Sequence, residues 1–368
     1  MGANMRVLSR LFFALVFAAA GAAPAPAQGV DPAALDRAIE AAAAIRSGDA
    51  AAYAEARARV LAFGEPALPA LAERGAASRW TRENWRRALV AEACRVRLAS
   101  PELAAAVDAP RGIDPAVYKK FRKPEPFCQH DLARLGTDAV PLLLERWIWT
   151  FDERPFSAGE AGLRERRALG LAALFVPGHL ADARARFALE EALRNAALPA
   201  EERRQAAVSL GQCAGTEALP ALAALFDDAL QPIEVREGCA WGLGRVPAAE
   251  AGEALFARLA AQEEARLRRA VLQGISLLGD RWAWEARGAA AAEAALALRR
   301  ACAETLVRAL RSYPADRDII GAGLATTAWP ESLFALRALA QDETAPGESR
   351  EAARAILPAL EASFAREK

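Results

Sequence analysis

Three stretches of the chain repeat one phrase: FGEPALPAL from Phe63, LGTDAVPLL from Leu135 and AGTEALPAL from Ala214. Aligned on Gly64, Gly136 and Gly215, each reads Gly-x-x-Ala-(Leu/Val)-Pro-x-Leu. The glycines are 72 and 79 residues apart, which is two periods of about 36 to 40, the spacing of a helical solenoid. The phrase has a mechanical reading. Glycine turns the chain out of one helix because it tolerates positive φ. Thr137 or Thr216 is placed to cap the next helix, with Asp138 or Glu217 near its positive end. Pro69, Pro141 and Pro220 then fall in the first helical turn, where a missing N–H costs little. In the middle copy Val140, Leu143, Leu144, Trp147 and Ile148 follow at the spacing of one helix face.

A second pattern interleaves with the first. ERRQAAVSLG, VREGCAWGLG, LRRAVLQGIS and LRRACAETLV align without gaps, and SREAARAILP joins them. Their arginines, Arg203, Arg236, Arg268 and Arg299, recur at intervals of 33, 32 and 31, and Arg350 follows after 51. Each unit therefore reads as a first helix opened by the proline phrase and a second opened by the arginine phrase. Alanine, leucine, arginine and glutamate dominate, and long alternating strand-type runs are absent. The expected fold is all-α: an α-solenoid of stacked antiparallel helix pairs.

On AGTEALPALAALFDD, PIEVREGCAWGLG and LGTDAVPLLLERW, the paired-helix unit resembles a HEAT repeat, in particular the short HEAT-like type of bilin lyases. The resemblance covers roughly Phe63 to Leu360. It implies an α-solenoid whose members most often bind proteins, and it does not imply lyase activity. It also implies that the arginine ladder, Arg203, Arg236, Arg268 and Arg299, ties neighbouring repeats together through acidic partners. The expected organisation is a signal peptide over 1–27, N-terminal helices over 28–62 and repeats over 63–366. Irregular segments are expected near 100–127 and 315–329.

The start of the chain reads as an export signal. Arg6 and Arg10 precede or flank an apolar run, Leu11 to Ala23, and Ala25-Pro26-Ala27 offers small residues for cleavage after Ala27. The run has 13 residues, short of the roughly 20 needed to span a bilayer. A periplasmic or secreted protein with no integral span after cleavage is expected. Beyond residue 27 the chain carries 45 basic and 47 acidic residues. That balance argues against nucleic-acid binding, which needs a basic surface.

Candidate sites are few. Cys239 and Cys302 share one slot of the arginine phrase, which Ala206, Val271 and Ala353 fill elsewhere, so both are expected to be buried. Cys213 aligns with Val246 and reads as packing. Cys94 and Cys128 flank the first irregular segment and are the candidate disulfide. Phe127 to Asp131 brings Cys128, His130 and Asp131 together, but at that spacing they do not share a helix face. His179 is the second histidine, and no metal-ligand spacing is present. Tyr118 to Lys123 is the one basic cluster rich in lysine. Each Trp-x-Trp pair, Trp147 with Trp149 and Trp282 with Trp284, must place one indole off the main core.

The face opposite the cysteine slot is the candidate partner surface. Trp241 lies two residues past Cys239, about 200° around the helix, and Glu237 falls on the same side. Their counterparts are Arg269 with Gln273, and Arg300 with Glu304. If second helices line a concave surface, these six side chains face it. The expected function is a scaffold or adaptor for a protein partner, with no cofactor, metal or catalytic set. The alternative is a lyase-like or chaperone-like factor that holds a small ligand or client in the same groove.

Overall fold

The computed structural model describes residues 30–108, 132–150, 160–262, 264–286 and 292–366. The signal segment, Tyr118 to Lys123 and Phe127 to Asp131 lie outside the described residues, as does Cys128 of the candidate disulfide. Among the described residues every regular element is helical.

The chain forms two compact units. One holds the described residues up to Ala104 together with those from Ile148 to Thr150; the other holds the rest. The first unit contains α1 (Pro32–Ala43), α2 (Ala50–Leu61), α3 (Leu68–Arg74) and α4 (Trp85–Ala99). Asp31 caps α1 and Asp49 caps α2, each through a side-chain oxygen that accepts a backbone N–H. Trp149 enters this core fully buried, stacked 4.5 Å from Tyr53, and its indole N–H donates to the Ile45 carbonyl at 3.0 Å. Helix α5 (Pro101–Asp108) begins the stretch expected to be irregular, so that part is helical.

The first copy of the repeated phrase, at Gly64, lies in the first unit, and the second unit carries the rest. Helix α6 (Ala139–Glu145) runs into a π-helical turn, Arg146–Thr150, and is followed by α7 (Glu160–His179). Then come α8 (Arg186–Arg194), α9 (Ala200–Cys213), α10 (Leu219–Asp227), α11 (Ile233–Leu243), α12 (Ala249–Ala261) and α13 (Ala265–Gly279). The short α14 (Arg281–Ala286) precedes α15 (Glu293–Ser312), α16 (Arg317–Thr327), α17 (Glu331–Gln341) and α18 (Gly347–Arg366).

The repeated phrase is a helix-to-helix joint. Gly64, Gly136 and Gly215 all have positive φ, +66°, +82° and +56°, as a left-handed turn requires. The threonine caps are not made. A 3₁₀ turn, Glu65–Ala67 or Gly215–Ala218, leads into the next helix, and no side chain caps it. The tightened backbone satisfies the first amides instead, as in Ala67 N–H to Gly64 O at 3.0 Å. Val140, Leu143, Leu144 and Ile148 are buried and Trp147 is half-buried.

Second helices pack against one another in a row, α7–α9–α11–α13, with the first helices α8, α10 and α12 laid against them. The row is close because its contacts are made by residues with little or no side chain. A Cβ on Gly242 of α11 would lie 2.4 Å from the Ala207 carbonyl of α9. One on Gly274 of α13 would lie 2.5 Å from the Ala240 carbonyl of α11. Ser209, Gly242 and Gly274 occupy the same slot of the arginine phrase.

The expected register fails after Gly279. Helix α15 carries the Arg299 phrase, yet it does not continue the row. It pairs with α16 and lies between α12 and α17, as a first helix does. Helix α16 takes the next place in the row, packed on α13, and α18 follows it. The segment expected to be irregular near 315–329 is therefore a row helix, opened by the 3₁₀ turn Pro314–Asp316 and closed by Ala328 at φ +48°. The slot differs between the two helices: in α15 it holds Thr305, whereas Gly323 of α16 packs directly against Ser276 of α13, the kind of close contact that marks the row.

Candidate partner-binding face

The arginine ladder works on backbone more than on acids. Arg203 donates to the Leu193 carbonyl at 2.9 Å and Arg236 to the Phe226 carbonyl at 2.7 Å. Both acceptors lie in the last turn of the preceding first helix, whose carbonyls have no helical partner. Arg299 does the same to Thr327 of α16 at 2.7 Å. Arg268 has an acidic partner, Asp316 at 2.9 Å, with Tyr313 under its guanidinium at 4.5 Å. A turn motif missed in the sequence supports these joints. Asn195, Asp228 and Asp342 each accept a backbone N–H two residues on, four residues ahead of a proline. The signal that could have found it is (Asn/Asp)-x-x-x-Pro between paired helices.

Four of the six candidate contact residues lie along the row. Trp241 of α11 is half-buried, and the Arg204 guanidinium of α9 sits 5.6 Å from its ring. Its indole N–H is buried without an acceptor among the described residues. Glu237, one turn before Trp241, is buried and bonds Arg266 of α13 at 2.6 and 2.9 Å. Arg269 of α13 reaches Asp316 at 3.0 Å and Asp318 at 2.8 Å. Gln273, one turn on, is half-buried. The other two candidates are elsewhere: Arg300 and Glu304 are exposed on α15, in the first-helix row. The alignment placed them with Trp241; the packing does not.

The ion pairs run from helix to helix along this face. Arg167 of α7 pairs with Glu201 of α9, and Arg204 of α9 covers Trp241 of α11. Glu234 and Glu237 of α11 pair with Arg266 of α13, and Arg269 of α13 pairs with Asp318 of α16. Hydrogen bonding from Arg269 holds the Asp318 carboxyl below the ordinary carboxylate range. Glu202 moves the other way: burial raises its pKa although the Trp147 indole bonds it and Arg166 and Arg167 are near.

The four described cysteines are all buried. Cys239 and Cys302 are fully buried as expected, Cys213 nearly so, and burial pushes all three thiols up to about 12. A thiol that stays protonated is a packing group. Cys94 is buried in α4. His179 stacks on Phe175 at 5.3 Å. No group of three or more His, Cys, Asp or Glu poised for a metal occurs among the described residues, and no described helix is long and apolar enough to cross a membrane. Each tryptophan pair splits: Trp149 and Trp284 are buried, Trp147 is half-buried and Trp282 is 58% exposed. No protein-family model matches the chain, and no curated protein matches it.

Proposed function

We propose that the chain is an exported protein-binding scaffold that works through the exposed face of its second-helix row. The observation that carries this reading is a half-buried tryptophan, Trp241, held at mid-row by Arg204, on a face braced by ion pairs between α7 and α9 and from α11 to α16. A rigid face with an aromatic anchor and balanced charge suits a protein ligand; a polyanion would need a surplus of cations. The resemblance of the repeated phrases to HEAT repeats supports the same role, and the apolar N-terminal run supports export. Arg300 and Glu304 drop out of the surface because their helix belongs to the other row.

The test is crosslinking in the native host followed by mass spectrometry, run with wild type and a Trp241→Ala/Gln273→Ala double variant. A protein captured by wild type and lost with the variant is the expected result. Equal recovery by a variant of unchanged helicity would refute the surface. Arg300→Ala/Glu304→Ala should leave capture intact.

A further inference from the structure

The row face ends in an apolar groove between α16 and α18, with a volume of about 340 Å³. Ile356 and Leu360, both buried, form its floor. Ala322, Ala325, Ala355 and Ala359 form its walls, and their short side chains leave the groove open. Arg317 lines it at the N-terminal end of α16.

The charges at that end do not balance. Arg268 and Arg269 are engaged by Asp316 and Asp318. Arg317 is the one arginine that lines the groove. It is exposed and makes no ion pair among the described residues. Asp318 also lines the groove but is already bonded by Arg269, and no carboxylate of α18 lines it. One cation therefore stands at the mouth of an apolar trough.

We infer that this groove takes the C-terminal peptide of a partner protein, with its terminal carboxylate at Arg317 and aliphatic side chains over Ile356 and Leu360. The inference rests on the protein-binding reading of the row. From Arg317 to Ala325 is eight residues of helix, about 12 Å, room for three to four extended residues. A single terminal carboxylate matches the single arginine of the lining, Asp318 being already bonded by Arg269. A peptide also suits an open trough, since its backbone stays solvated. An acyl chain would need enclosure on most sides.

The test is fluorescence anisotropy with a labelled hexapeptide ending in Leu-Ala-Leu, as the free acid and as the C-terminal amide. The full chain is titrated against both, with decanoate as competitor. Saturable binding of the free acid is expected, weakened about tenfold by amidation or by Arg317→Glu through loss of a charge-assisted hydrogen bond. Ala322→Trp, on an exposed position, should fill the groove and abolish binding with helicity unchanged. No saturable binding, equal binding of acid and amide, or indifference to Arg317→Glu would overturn the assignment. Tighter binding of decanoate than of peptide would overturn it in favour of an amphiphile. Any of these results with partner capture still lost in Trp241→Ala/Gln273→Ala would remove the groove and leave the row reading standing.

Discussion

Gly242→Ala is the sharpest probe of how the row is built, because two effects oppose each other there. In a helix with free surroundings the change stabilises by about 0.4–1 kcal/mol, since alanine has less freedom to lose on folding. At this site the new methyl would lie 2.4 Å from the Ala207 carbonyl oxygen, 3.1 Å from its carbon and 3.1 Å from Leu222 Cδ2. Two of those three atoms are backbone, so relief requires α9 and α11 to move apart. Overpacking of that kind costs about 1–3 kcal/mol. The net expectation is destabilisation of about 1–2 kcal/mol, a fall of roughly half a molar in the urea midpoint. Circular dichroism at the helical minimum during urea unfolding measures it. Gly347→Ala is the control, because its methyl would meet only the far end of Arg350 at 3.9 Å; that variant should be unchanged or more stable. A Gly242→Ala protein as stable as wild type would refute the close-contact account of the row.

Two further outcomes follow from the same structure. Cys213, Cys239 and Cys302 should resist a thiol reagent at pH 8 in the native state and react fully in denaturant, because their pKa values stand near 12 in burial; rapid native labelling of Cys239 or Cys302 would sink the assigned packing. The Asp318 carboxyl is lowered from its ordinary value of 3.8 by Arg269. Its stabilising contribution is therefore complete above that unfolded value and is lost as pH falls through the lower folded value. Asp318→Asn should flatten the decline of urea stability below pH 4, and an unchanged slope would remove the pair from the balance.

Much of the fold could be read from particular residues. Gly64, Gly136 and Gly215 marked the joints, and each adopts positive φ. Cys239 and Cys302 sat in a small apolar slot and are buried. The site was less legible. Trp241, Glu237, Arg269 and Gln273 do lie along one row, but Glu237 and Arg269 are occupied by cross-helix ion pairs whose partners, Arg266 and Asp318, no local pattern names. The groove at Arg317 was hidden because its helix lacks both repeated phrases.

Sequence alone missed the helix over Arg317–Thr327 but determined the helical class, the joints at Gly64, Gly136 and Gly215, the buried cysteine slot and that helices come in pairs. These are local matters of φ, capping and apolar spacing, set within a few residues. Tertiary structure decided which helix follows which. The phrase LRRACAETLV makes α15 look like the next row member, yet a row place depends on how closely two backbones can approach. Ser209, Gly242 and Gly274 hold the slot in row helices, Thr305 holds it in α15, and Gly323 of α16 packs closely on Ser276 of α13. Arg300 and Glu304 therefore lie off the candidate face, and Arg317 lies on a row helix.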